Sequence, residues 1–365
     1  MLELPDFPWN ALVRFRDQAA AHGDGIVDLS VGTPVDPVPE VAQRALTAAA
    51  DSPGYPTTIG SETVRTAAAG WLSRRCQVPT APADILSLIG TKEFVAWLPT
   101  MLGLGASDTV VVPQLAYPTY QIGARIAGCR VMVADSLLQL GPSRPALLWL
   151  NSPGNPTGRV LGIDHLKKVV EWARHRGVIV ASDECYLELG WSASPVSILH
   201  PDVCGGSTEG LLAVHSLSKR SNLAGYRYGF VTGDPALITR LQEVAKHAGM
   251  MVPAPVQAAA AAALGDDQHV RAQRGRYRAR RELLLAALTE YGFRIDESDA
   301  GLYLWATLGE PCWDTVARLA GLGILVAPGG FYGPGGANHV RVALTASDER
   351  VSAAGQRLHL ESASR

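Results

Sequence analysis

Val214-His215-Ser216-Leu217-Ser218-Lys219-Arg220-Ser221-Asn222-Leu223-Ala224-Gly225-Tyr226-Arg227-Tyr228-Gly229 is the stretch whose reading decides the fold. The apolar run 211–214 delivers two serines and a lysine at its end, and Arg227 follows eight residues after Lys219 in a glycine-flanked turn. A lysine amine condenses with an aldehyde to a Schiff base when its surroundings keep the nitrogen unprotonated. Two hydroxyls and a guanidinium are the groups that hold a phosphate dianion. An aldehyde and a phosphate on one small molecule describe pyridoxal phosphate. The same residues also fit a plain exposed lysine just past a strand, so the neighbours must decide.

Working outward, short β-like runs alternate with helical stretches such as 165–175. The runs are 85–89, 109–112, 130–133, 146–150, 178–181, 211–214 and 227–231. Alternation of this kind predicts an α/β fold, a mostly parallel sheet covered on both faces. Ligands of such sheets bind beyond the carboxyl ends of the strands, and the residues there are unusual. Gly90-Thr91-Lys92-Glu93 opens a helix whose apolar face is Phe94, Trp97, Leu98, Met101 and Leu102, and a helix N-terminus seats phosphate. Tyr117-Pro118-Thr119-Tyr120 follows the next run. Asn151-Ser152-Pro153-Gly154-Asn155-Pro156-Thr157-Gly158 follows 146–150, and Ser182-Asp183-Glu184-Cys185-Tyr186 follows 178–181. Ser61 is the expected N-cap of a helix carrying Val64, Ala68 and Trp71.

Beyond residue 256 an alanine-rich helix is expected over 256–264. The next helix carries Arg271, Arg274, Arg276, Arg278, Arg280 and Arg281, which read as a solvated face. The tail alternates strands at 292–295, 302–307, 324–327 and 339–344 with helices at 311–320 and 347–358, as a small α+β domain.

The 365 residues are 47% apolar and 18% charged, enough for a well-cored protein of a large and a smaller domain. No apolar run reaches membrane-spanning length, and Met1 to Asp6 has neither a basic nor an apolar leader region. Five scattered cysteines without metal-ligand spacing predict free thiols in a reducing cytoplasm, and no metal. A net charge of −2 gives no case for nucleic acid. Dinucleotide fingerprints and Walker-type loops are absent.

Taken in order, Asn151-x-Pro153-x-Asn155-Pro156-Thr157-Gly158, Asp183-x-x-Tyr186, Ser216-x-Ser218-Lys219 and Arg227 resemble the fold-type I, class I/II pyridoxal-phosphate aminotransferases. The resemblance covers essentially the whole chain. It implies a large cofactor domain over 34–264 and a small domain made of 1–33 and 265–365. It implies that Lys219 carries the cofactor and moves the proton at Cα, and that Asp183 pairs with the pyridinium nitrogen. Asn155 and Tyr186 would hydrogen-bond the ring's 3′-oxygen. Gly90, Thr91, Lys92, Ser216, Ser218 and Arg227 would hold the phosphate, and Tyr117 would stack on the ring. Arg341 would clamp the substrate α-carboxylate, with Gly32 and Asn155 beside it. Tyr55 would reach the partner's phosphate in a homodimer with shared sites.

Leu4-Pro5-Asp6-Phe7-Pro8-Trp9, the segment 28–39, Leu189-Gly190-Trp191 and His247-Ala248-Gly249-Met250 are further similar to the N-succinyldiaminopimelate aminotransferases of lysine biosynthesis. That implies N-succinyl-L,L-2,6-diaminopimelate and glutamate/2-oxoglutarate as amino- and 2-oxo-acid substrates, with Arg220, Lys246 and His247 as candidate readers of the succinyl end. Aminotransferases of N-acetylornithine, aspartate or aromatic amino acids, a C–S β-lyase, and a non-enzymatic ligand-sensing domain are the rivals. The region before Gly32 is short for the DNA-binding module that the last would carry.

Overall fold

A computed structural model describes residues 4–363. Met1–Glu3, on which the leader reading partly rests, lie outside the described residues. A two-residue strand, β1 (Val27–Asp28), comes first, followed by β2 (Ile85–Leu88), β3 (Thr109–Val112), β4 (Arg130–Val133), β5 (Leu147–Asn151), β6 (Ile179–Asp183), β7 (Leu211–Ser216) and β8 (Gly229–Gly233). The last seven form one sheet in the order β2-β8-β7-β6-β5-β3-β4. β4, β3, β5, β6 and β7 run parallel, and β8 is antiparallel to both its neighbours. Leu147 and Trp149 pack into one apolar core while Leu148 and Leu150 pack into another. That alternation is the period-two signature of a strand covered on both faces.

Topology brings the chemistry to one edge. The parallel strands all end there, and β2 ends there too, because Leu88 lies opposite Gly229 at the start of β8. Ser216, the last residue of β7, faces that same Gly229. Six segments remote in sequence therefore meet along one rim.

A second sheet is formed by β9 (Arg294–Asp296), β10 (Tyr303–Thr307), β12 (Ala327–Pro328) and β13 (Val340–Ala343), in the order β12-β13-β10-β9. β11 (Ile324–Leu325) instead pairs with β1. Residues 324–327, expected as one strand, thus divide at Val326 between two sheets. The helix Gln268–Tyr291 packs Tyr277, Leu284 and Leu288 into the core beneath these strands. Its arginines do not form one solvated face. Arg271, Arg276 and Arg278 are exposed, whereas Arg280 is buried on Asp36 and Asp348. Position 280 falls on the same helical stripe as Tyr277 and Leu284, three and four residues away, which is why it turns inward. Ser61 caps its helix as expected, its hydroxyl accepting from the Val64 N–H.

Candidate active site

Lys219 sits in the single turn Leu217–Arg220 that follows β7. Its Nζ donates a short hydrogen bond to the Gly32 carbonyl. Burial pushes the ammonium below the ordinary lysine range, and the Arg341 and Arg227 charges push the same way. A lysine disposed to lose its proton is what condensation with an aldehyde requires. Gly32 is needed for its size: a Cβ there would lie 2.2 Å from the Tyr303 hydroxyl.

Asp183 ends β6 and is buried. It accepts from the Tyr120 hydroxyl at 2.7 Å and from the Cys185 N–H at 3.1 Å. Burial pushes its carboxyl up, while those two donors pull the other way. Among the described residues it has no basic partner. A buried carboxylate of this kind calls for a cation or a proton donor.

Arg341, on β13, is the converse case. It is 3% exposed, its guanidinium lies 3.9 Å from the Tyr303 ring centre, and its Nε has no partner. Its acceptors are two neutral oxygens, Asn155 Oδ1 at 2.9 Å and the Ser30 carbonyl at 2.7 Å. A buried cation with only neutral acceptors is poised for an anion. Asn155 is itself fixed by Asn151, which accepts from the Asn155 N–H and donates to the Asp183 carbonyl. The loop after β5 is thereby tied to the end of β6.

Between these charges stand two tyrosines, Tyr186 and Tyr303, with hydroxyls 3.2 Å apart. Burial pushes both up, but for Tyr303 the charges of Arg341 and Lys219 prevail and hold it below the usual phenol range.

At the far corner Gly90 adopts φ +74°, and a Cβ there would lie 2.1 Å from Arg227 Nη2. The backbone at the start of the helix Thr91–Met101 and the guanidinium are thus in direct contact. Arg227 lies in the expected turn, in the left-handed region (φ 58°) with its side chain exposed, and the strand expected over 227–231 starts only at Gly229. Ser216 accepts from the Ser218 N–H, and both serines are buried beside this corner.

The structure therefore gathers Gly32, Gly90, Thr91, Asn155, Asp183, Tyr186, Ser216, Ser218, Lys219, Arg227 and Arg341 on one rim, with Tyr117 half-buried and edge-on to Tyr120. Lys92 is the second residue of the helix that starts at this corner, while its exposed ammonium turns away over the rings of Phe7 and Tyr117. Tyr55 is 95% exposed. Arg220 cannot read a substrate, because it is buried on Glu188 against Trp71. Lys246 and His247 are exposed, and Lys246 is paired with Glu243. Sequence reasoning missed Tyr120 and Tyr303. Tyr120 stands in the motif credited to Tyr117, and Tyr303 has the sequence setting of any strand residue. Pyridoxal phosphate fits this donor set, with Asp183 for a ring N–H, Lys219 for an aldehyde, and the Gly90–Arg227 cradle for a phosphate.

Residues 24–358 match the sequence model of the family described as aminotransferase class I and II. The chain is 66% identical, over 97% of its length and 85% of the relative's, to probable aminotransferase Rv1178 of Mycobacterium tuberculosis. It is 58% identical to the 4-dedimethylamino-4-oxo-anhydrotetracycline transaminase OxyQ of Streptomyces rimosus, over 98% of this chain and 100% of that one. Among solved structures it is similar to a probable N-succinyldiaminopimelate aminotransferase of Thermus thermophilus, with TM-score 0.87 and 29% identity over 97% and 100% of the two chains.

Proposed function

The chain belongs to the class I and II aminotransferases, a pyridoxal-phosphate-dependent family, and within it we propose that it moves an amino group between glutamate/2-oxoglutarate and N-succinyl-L,L-2,6-diaminopimelate. The observation that carries the amino-acid part is Arg341, a buried cation with neutral acceptors only, beside Asn155 and within the same rim as Lys219. The lysine-pathway part is supported by the resemblance of segment 28–39 and by the Thermus relative.

Bound at this rim, pyridoxal phosphate supplies an aldehyde that condenses with amines and a protonated ring that takes up the electron pair left at Cα. The chain's own residues do the rest. Asp183 holds the proton on the ring nitrogen, and Tyr120 holds Asp183. Lys219, desolvated and below its ordinary range, would carry the proton between Cα and the cofactor's C4′. Asn155 and Tyr186 donate or accept at the ring's 3′-oxygen. Arg341 fixes the α-carboxylate with a two-pronged grip, Gly32 and Asn155 lining that end. Gly90, Thr91, Ser216, Ser218 and Arg227 receive the phosphate, with the Lys92 backbone beside them, and Tyr117 covers the ring. Residues 34–264 act as the cofactor domain, and 1–33 with 265–365 as the smaller one. The working unit is a cytoplasmic homodimer in which Tyr55 reaches the partner's phosphate, a reading its exposure supports.

With Arg220 committed to Glu188, the succinyl end must be met by Lys246, His247 or the second subunit. A second reading, a polycyclic ketone as amino acceptor, is favoured by the 58% identity to OxyQ along its whole length. A panel of kcat/KM values decides. It compares N-succinyldiaminopimelate with N-acetylornithine, aspartate, aromatic amino acids and a carboxylate-free polycyclic amine, each against 2-oxoglutarate. Preference for the succinylated substrate is expected. Preference for any other member overturns the lysine-pathway reading.

A further inference from the structure

Segment 30–39 crosses the site without regular secondary structure, and Pro34, Pro37 and Pro39 remove backbone donors from it. Little in its own backbone fixes how far it reaches. One end meets the reactive groups: the carbonyls of Ser30, Val31 and Gly32 accept from Arg341, Thr345 and Lys219 respectively. The other end carries Asp36, which the buried Arg280 grips with two parallel hydrogen bonds of 2.6 and 2.8 Å. Gln273 adds a third to the same carboxylate at 2.7 Å. Arg280 also holds Asp348.

The chain of contacts continues back to the reactive lysine. Asn222, three residues past Lys219 and in the left-handed region, donates to Gln273 at 2.9 Å and to the Pro37 carbonyl at 3.2 Å. Tyr277 donates to Asn222 in turn. The strap is thus tied at both ends to the turn that carries Lys219. Burial pushes Asp36 up, but Arg280 and Gln273 overcome it and hold the carboxyl below its usual range, so the pair is charged at neutral pH.

We infer that Asp36, gripped by Arg280, is a positioning residue that sets the strap so that the Ser30 carbonyl holds Arg341 correctly for the substrate's α-carboxylate. The inference rests on the reading of Arg341 as the carboxylate clamp. A strap slipped by an ångström misaligns the carboxylate end and leaves the cofactor's own contacts, on β6, β7 and the Gly90 corner, intact.

The test uses the holoenzyme and reads the absorbance of the bound cofactor during the half-reaction with glutamate and with n-butylamine, which has no carboxylate. Asp36→Asn and Arg280→Lys are each expected to raise KM for glutamate and 2-oxoglutarate about tenfold, with kcat changed less than about twofold. The butylamine rate and cofactor affinity should match wild type. The double variant should be no worse than the worse single, because both break the Asp36–Arg280 pair and the Asp348 contact is already altered in Arg280→Lys alone. Asp36→Glu, which keeps the charge, should recover part of the loss. Gln273→Leu deletes the neutral tether to Asp36 together with the Asn222 and Arg276 contacts to the same side chain, leaves the Asp36–Arg280 pair in place, and should give the same selective loss, about threefold. Equal losses for amine and amino acid, or no loss in any variant that folds, overturn the inference. Arg341→Gln separates the two readings. If it fails to discriminate glutamate from butylamine, the clamp itself is wrong. If it discriminates and the Asp36 and Gln273 variants do not, only the strap is wrong.

Discussion

Replacing Tyr120 by Phe removes one oxygen from the centre of the site. The ring keeps its stacked contact with Trp149, centroids 4.9 Å apart and planes 28° from parallel, so packing is conserved. What goes is the 2.7 Å hydrogen bond to Asp183, one of its two donors in a fully buried setting. A hydrogen bond to a charged group is worth about 1.5–3 kcal/mol, so kcat/KM should fall about ten- to a hundredfold. The sign of the pH effect follows from which form the bond favours. Burial already raises Asp183, and Tyr120 opposes that rise by stabilising the carboxylate. Without Tyr120 the pKa climbs further, and Asp183 takes a proton it should leave on the cofactor ring. The acid limb of the kcat/KM profile should therefore move upward by about one to two pH units. Steady-state rates from pH 5 to 9, with a fluorescence titration of cofactor affinity, measure both effects. A profile superimposable on wild type at unchanged affinity would refute the argument that Tyr120 holds Asp183 in its working state.

Gly90→Ala should weaken pyridoxal phosphate binding at least tenfold while hardly changing affinity for phosphate-free pyridoxal, because the new methyl meets Arg227 and φ is +74°. Equilibrium dialysis with both cofactors checks this. Glu184 is buried beside His215, and burial pushes it up to about 7 and His215 down to about 3. Between an unfolded value near 4.5 and about 7 the folded protein holds a proton that the unfolded chain has released, so Glu184 costs stability as pH rises through that window. Glu184→Gln should accordingly gain on wild type from pH 5 to pH 8, by as much as about 3 kcal/mol, in paired denaturant melts. His215 has the opposite slope, losing stability as pH falls below about 6.5, and the Gln variant should retain that arm. For the dimer, mixing Lys219→Ala chains with Tyr55→Phe chains should give heterodimers with one intact site. Activity should then exceed the sum of the parents once subunit exchange is verified.

Much of the rim could be read from the chain because each strand end carries its own chemistry within a few residues. Asp183 closes the run 178–181, the 151–158 loop closes the next, and Lys219 follows Ser216 and Ser218 directly. Alternation of apolar runs supplied the order in which these ends would line up. Partners that meet only across sheets were not readable. Tyr303 lies in β10 like any buried strand residue, and its importance arises because it packs between Gly32 and Arg341. Arg220 is next to the lysine in sequence and so reads as available, yet in the single turn Leu217–Arg220 it is buried against Trp71 and paired with Glu188. Arg280 had a signal that went unused. Buried residues at 273, 277, 280, 284 and 288 trace one helical stripe, and an arginine on such a stripe implies a buried carboxylate partner. The divided strand at 324–327 shows the same limit, since nothing in four consecutive apolar residues tells which neighbour each will pair with.

The central claim is that Lys219 is the residue to which the cofactor is attached. The chain holds four other lysines, 92, 167, 168 and 246, and all four are exposed, whereas Lys219 is held inward on the Gly32 carbonyl. Borohydride reduction of the holoenzyme, followed by proteolysis and mass spectrometry, reports where the cofactor was bound. The account predicts one phosphopyridoxyl group per chain, on the peptide containing Ser216-Leu217-Ser218-Lys219. A label on any of the other four lysines, or a fully loaded enzyme that takes no label, would contradict it.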